Sequence, residues 1–151
     1  MGAVFQPGKE VIVMISSKGR YALRVMMVLA DRADQCFVPL REIAEDEDIS
    51  LKYLECIMRT LVGAGMVEGV CGKGGGYRLC RAPETYRVGD ILRLMEGSLS
   101  PVSCVEDGPR ACDKSCRCRA YPVWKGLADR IEEYLDGITL ADLIQKAIPH
   151  K

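Results

Sequence analysis

Residues 38–79 read VPLREIAEDEDISLKYLECIMRTLVGAGMVEGVCGKGGGYRL, and the order of parts in this stretch decides the fold. A short helix, a tight turn, a longer helix and a glycine-tipped hairpin follow one another without spare residues. In the longer helix Ser50 stands where an N-cap belongs. Leu51, Leu54, Ile57, Met58, Leu61 and Val62 then recur in steps of three and four, the spacing that gathers side chains on one helix face. The opposite face carries Lys52, Glu55, Cys56 and Arg59, with Tyr53 at its edge. Gly63 and Gly65 supply the stop. Upstream, Leu40, Ile43 and Ala44 give the shorter helix its apolar side, and only Asp48 and Ile49 separate it from the Ser50 cap. A joint that short makes an antiparallel pair difficult. A steep crossing is the helix-turn-helix solution, which places the second helix in a DNA groove.

The hairpin completes the unit. Strands are expected over 66–71 and 77–80, on either side of Gly72-Lys73-Gly74-Gly75-Gly76. The glycine run is expected to be flexible and to let the backbone approach another surface closely. It is not a phosphate-binding P-loop, because no Gly-Lys-Ser/Thr ends it and no helix follows. Tyr77 also stands where the last glycine of a dinucleotide fingerprint would be. Lys73 at the tip suits a wing that lies against phosphates or enters a minor groove. A solvated amphipathic helix or a loose hairpin would explain either part alone. Their succession points to a winged helix-turn-helix, a mainly α fold with a small β wing.

A chain of 151 residues with 48% hydrophobic content can bury a core, so disorder is not the default. No apolar run reaches membrane-span length. The net charge of zero speaks against nucleic acid when taken alone, but the charges are unevenly spread. Residues 40–49 set Arg41 against Glu42, Glu45, Asp46, Glu47 and Asp48. Residues 50–81 set Lys52, Arg59, Lys73, Arg78 and Arg81 against Glu55 and Glu68. A neutral molecule with a basic reading surface follows.

Around this centre, residues 1–13 read as an N-terminal extension, disordered or preceding the natural start at Met14. Ser16 or Ser17 should cap a first helix running to Arg32, burying Tyr21, Ala22, Val25, Met26, Val28 and Leu29. The head is expected over 14–82. Residues 83–119 should hold a short helix with Val88, Ile91, Leu92 and Met95, ended by Gly97, and then a polar cysteine-rich loop. Residues 120–151 should hold a long helix over 121–135 and a last segment capped by Thr139, carrying Leu140, Leu143 and Ile144. Trp124, Leu127, Ala128, Ile131 and Leu135 form a seam along the long helix, most simply for a second copy of the chain.

The chain has eight cysteines and no recognisable secretory signal, so a reducing cytoplasm and metal or redox chemistry are expected rather than disulfides. Cys104, Cys112, Cys116 and Cys118 fall within fifteen residues, among glycine, proline and charge. The paired knuckles of a zinc site are absent. Iron–sulfur clusters accept looser loops. An iron–sulfur cluster, a zinc ion and a redox thiol group all stay open on spacing alone.

Four separated motifs now carry a resemblance: SSKGRYAL at 16–23, IAEDEDISLKYLE at 43–55, GKGGGY at 72–77 and GITLADL at 137–143. Together they resemble the Rrf-two family of bacterial winged-helix regulators, whose branches include IscR-like, NsrR-like and CymR-like proteins. The likeness runs from about Met14 to Ile144. It implies a homodimer with crossing C-terminal helices, each head reading half of a palindromic site in double-stranded DNA. The implied DNA-contacting residues are Ser50, Lys52, Tyr53 and Glu55, with Gly72, Gly74 and Gly75 in the wing. Arg59 and Lys73 would add phosphate or base-edge contacts; IscR-like wings have arginine where this chain has Cys71, which leaves that task to Lys73. The implied cluster ligands are Cys104, Cys112 and Cys118, the last six residues before Trp124, with Cys116 as an additional thiol. Tyr121 stands where the IscR-like branch has its histidine ligand.

The expectation is a cytoplasmic, dimeric transcription regulator whose DNA affinity follows a cysteine-held iron–sulfur cluster, 2Fe-2S ahead of 4Fe-4S, and readily lost in aerobic purification. The alternative in the same fold is a cluster-free repressor governed by thiol oxidation or by a partner enzyme of cysteine metabolism. A small redox or zinc protein would not need the capped reading helix and the wing. No catalytic constellation is found.

Overall fold

The computed structural model describes residues 15–34, 37–106 and 117–146. The N-terminal extension, Cys36, Cys112 and Cys116 therefore lie outside the described residues. Helix α1 (Ser17–Asp31) starts at Ser16, whose hydroxyl accepts the Gly19 N–H at 3.3 Å. Helices α2 (Leu40–Glu47) and α3 (Leu51–Gly63) follow, joined through Asp48 in the left-handed conformation. The wing pairs β1 (Val67–Val70) with β2 (Gly76–Leu79) antiparallel, with Val67 opposite Leu79 and Val70 opposite Gly76. Helix α4 (Val88–Glu96) ends at Gly97, at φ 82°. Helix α5 (Tyr121–Asp136) has Pro122 in its first turn, where its missing N–H costs nothing. Helix α6 (Leu140–Ile144) closes the described chain.

Most of the core lies in the head. Met26 and Leu29 of α1, Ile43 of α2, and Leu54, Ile57, Met58 and Leu61 of α3 meet there, each at most 1% exposed. Tyr86, Ile91 and Leu140 complete it, so α6 returns to the head after α5 has left it. Its return is anchored by backbone bonds from Val88 N–H to Ile138 O at 2.9 Å and from Leu140 N–H to Tyr86 O at 3.0 Å. A smaller cluster of Val88, Leu92, Leu99 and Ile138 joins α4 to the chain that follows α5.

Three expectations need correction. Tyr21 and Val28 are half-buried rather than buried. Leu51 and Val62 are exposed, at 43% and 40%, because they lie on one flank of the stripe centred on Leu54, Leu61 and Met58. Residues 35–39 read in the sequence as a link, but Val38 is not mere linker. It exchanges two backbone hydrogen bonds of 2.8 Å with Tyr77 and extends the wing sheet by one bridge. The wing tip forms a shaped turn. The Gly75 N–H donates to Gly72 O at 3.0 Å, and Gly74 holds φ 79°, which L side chains resist. A Cβ on Gly75 would stand 2.2 Å from the Val70 carbonyl oxygen, so a close backbone approach within the wing itself requires the glycine there.

Candidate nucleic-acid interface and cysteine loop

The reading face is built outward from the Ser50 cap. The Ser50 hydroxyl accepts the Tyr53 N–H at 3.3 Å and so fixes the first turn of α3. Lys52, Glu55, Cys56 and Arg59 are exposed along the outer side of the helix, and Tyr53 is half-buried at its edge. Glu55, Arg59 and Val62 form one wall of a groove of about 430 Å³, and Val70, Cys71 and Tyr77 of the wing form the other. The structure thus brings the middle of α3 and the root of the wing together, with Lys73 exposed at the tip. The apolar part of this groove, Val62 and Val70, is missed by sequence reading, because Val62 shares the three-four spacing of the buried residues.

Charge is sorted by pairing. Arg32 binds Glu42 and Asp46, and Arg24 binds Glu47, so much of the acidity of α2 is met from α1. Arg78 is tied to Glu68 and lies 4.7 Å from the centre of the Phe37 ring. Arg81 lies over Tyr86, 4.8 Å from its ring centre. Lys52, Arg59 and Lys73 form no ion pair among the described residues. They are the cations left available to phosphates on this side.

Of the four clustered cysteines, two are described. Cys104 is half-buried in a 3-10 turn, Ser103–Val105, that packs against α5. Cys118 is exposed just before α5, and its carbonyl accepts the Tyr121 N–H at 3.2 Å. Both are free thiols at the two ends of one loop, with Cys112 and Cys116 between them in sequence. A set of soft thiolate donors of this kind fits an iron–sulfur cluster. Among the described residues alone, no three His, Cys, Asp or Glu side chains converge as a metal site. Cys56, Cys71 and Cys80 are exposed free thiols elsewhere in the head. Cys71 and Cys80 do not oppose each other, since the Cys80 N–H bonds to Met66 O.

Helix α5 is the third feature. It buries none of its sixteen residues, and Val123, Trp124, Leu127 and Tyr134 are all more than a third exposed. No described helix is long and apolar enough to cross a membrane.

The family model described as Rrf2, iron-dependent transcriptional regulator, matches residues 15–146. The chain belongs to the Rrf2 family. It is 39% identical over 130 residues to the HTH-type transcriptional regulator IscR of Aliivibrio salmonicida (strain LFI1238), spanning 86% of this chain and 76% of the relative. Among solved structures it is similar to CymR (YrzC), the global cysteine regulator of B. subtilis. That likeness has a TM-score of 0.74 and 36% identity, covering 88% of this chain and 97% of the other. T. potens IscR gives a TM-score of 0.71 and 37% identity, covering 89% of this chain and 88% of the other. The protein is therefore a winged-helix transcriptional regulator that binds DNA, and not an enzyme.

Proposed function

We propose that this Rrf2 protein is a cytoplasmic homodimer whose operator affinity is set by an iron–sulfur cluster held by Cys104, Cys112 and Cys118. The observation that carries the reading is the placement of Cys104 and Cys118. They sit at the two ends of one loop, against and just before an α5 that buries no residue of its own. Such a helix calls for a second chain, and thiols at its root would feel any change in how two copies meet. A bound cluster supplies redox and ligand-exchange chemistry at those thiols. Tyr121 in the fourth-ligand place leaves that coordination weak or external, which suits a sensor and favours loss of the group in air. Ser50, Lys52, Tyr53, Glu55 and Arg59 would face the major groove, and Gly72, Lys73, Gly74 and Gly75 the adjacent backbone or minor groove. The operator should be an imperfect palindrome with half-sites roughly 10 bp apart or a multiple of that.

A cluster-free repressor governed by thiol oxidation or by a partner enzyme is the second reading. The absence of histidine at Tyr121 and the likeness to CymR favour it. Anaerobic reconstitution with iron and sulfide analysis separates the two. Serine at 104, 112 or 118 should abolish the colour, and Cys116→Ser should at most alter its stability. Full cluster retention in Cys112→Ser, or stoichiometric zinc in the native protein, overturns the first reading.

A further inference from the structure

Two side chains of α1, outside the reading face, touch both parts of the helix-turn-helix. Tyr21 lies edge-on to Tyr53, with ring centroids 5.9 Å apart and planes at 84°. The Arg24 guanidinium stands 5.3 Å from the centre of the Tyr21 ring. The same guanidinium pairs through Nε with the Glu47 carboxylate, and its Nη2 donates to the Glu47 carbonyl at 3.4 Å. Glu47 is the last residue of α2, and the next residue, Asp48, turns the chain at φ 51° toward the Ser50 cap. Glu47 Oε2 is closed to water, with Arg24 as its ionic partner but without the alignment of a hydrogen bond.

Each contact restrains something that DNA reading needs. A half-exposed tyrosine can swing about two torsions, and an edge-to-face partner favours one setting. A carboxylate oxygen shut off from water relies on its cation, and without that cation the turn that carries it is free to shift toward solvent. We propose that Tyr21 and Arg24 are positioning residues for DNA recognition. Tyr21 holds the Tyr53 ring where it meets the duplex, and Arg24 holds the turn that sets where α3 begins. The proposal rests on the reading of Tyr53 as a DNA-contacting residue.

The test uses the full chain and an operator duplex selected from random sequences. Tyr21→Leu should weaken operator binding about threefold to tenfold, the range of an aromatic pair beyond its buried area. Tyr21→Phe should retain binding, because the ring edge and the cation contact survive. In a Tyr53→Leu background Tyr21→Leu should cost nothing further, because the two losses are one interaction. In the free protein the ring-proton resonances of Tyr53 should move in Tyr21→Leu and stay in Tyr21→Phe, a signature that a general loss of stability would not give. Arg24→Gln keeps the test open should Tyr21→Leu fold poorly. It should weaken binding, and adding Glu47→Gln should restore part of the loss by removing the orphaned charge. Additive losses in the tyrosine pair, or native affinity in both Tyr21→Leu and Arg24→Gln, overturn the proposal alone. A native chain that selects no duplex removes the DNA reading and this proposal together.

Discussion

Helices α3 and α5 carry the same kind of apolar spacing and meet opposite fates. Helix α3, of thirteen residues, buries Leu54, Ile57, Met58 and Leu61 in the head. Helix α5, of sixteen, buries none. Its inner-side residues Ala128, Ile131 and Leu135 are half-covered by the rest of the chain, while Trp124 and Leu127 stay open at 37% and 43%. The amphipathic pattern states that a face needs cover. It does not state whether the same chain supplies it. In α3 the cover comes from α1, α2 and the wing. In α5 the smaller cluster around Ile138 covers the C-terminal end, and Val123, Trp124 and Leu127 in the first two turns stay exposed among the described residues.

The largest expected effect comes from breaking the open side of that comparison. Leu127→Asp should convert a dimer to a monomer and lower affinity for a two-half-site operator on the order of 10²-fold or more, as the second half-site loses its tether. Sedimentation and duplex titration measure both, and thermal unfolding of the head should change little. A monomeric native protein, or a Leu127→Asp variant still dimeric, removes α5 as the dimer helix. Breaking the closed side works through the fold instead. Ile57 is fully buried, so Ile57→Ala should cost about 2–5 kcal/mol of stability in urea unfolding. The oligomeric state of whatever remains folded should be unchanged. If the two variants gave the same phenotype, the head and α5 would not be separable in this way.

What the sequence could show divides along the same line. Ser50, Gly97 and Thr139 mark boundaries by local chemistry, a cap hydroxyl or a positive φ, and each stands at a helix end in the structure. The stripe on α3 was legible at its centre and not at its flanks, because three-four spacing cannot tell Leu54 from Leu51. Only packing against a neighbouring helix does. The wing glycines were legible as a turn, but the carbonyl of Val70 that crowds Gly75 was not, since it is a contact made after folding. The Tyr21–Tyr53 and Arg24–Glu47 contacts span more than twenty residues of chain, and no local period announces them. For the cysteines, spacing gives the donor type and leaves open which thiols come together.

A smaller effect sharpens the reading face itself. Glu55 is exposed in the groove between α3 and the wing, beside Arg59. A carboxylate there accepts from a cytosine amino group and repels phosphate. Glu55→Ala should therefore lose about 1–3 kcal/mol of discrimination at one base pair while binding many sequences as well as before or better. Selection from random duplexes, compared position by position with the native protein, reads this directly. Equal weakening on every sequence would make Glu55 a structural residue.

The smallest expected effect lies where α6 re-enters the head. Thr139 and Asp142 form a capping box. The Thr139 hydroxyl accepts the Asp142 N–H at 3.2 Å, and Asp142 Oδ2 accepts the Thr139 N–H and hydroxyl at 2.9 Å each. The Thr139 backbone N–H, and then its side chain, hold the Asp142 carboxyl below its usual range, against a minor opposing effect of burial. A carboxylate whose pKa is depressed by folding adds stability that is present above its ordinary pKa and disappears as pH falls through the lowered one. The protection of α6 amides, taken relative to their intrinsic exchange at each pH, should therefore fall in acid, once Asp142 is protonated and the box opens. In Asp142→Asn that acid-dependent step should be missing, and protection should be lower than native at neutral pH already. The effect should stay local, because Leu140, fully buried one residue after Thr139, still anchors the segment in the core. Hydrogen-exchange protection factors at α6, measured as a function of pH, decide it. If the variant kept the native acid profile, the slope would belong to another carboxylate, and the box would not be what secures the return of the chain to the head.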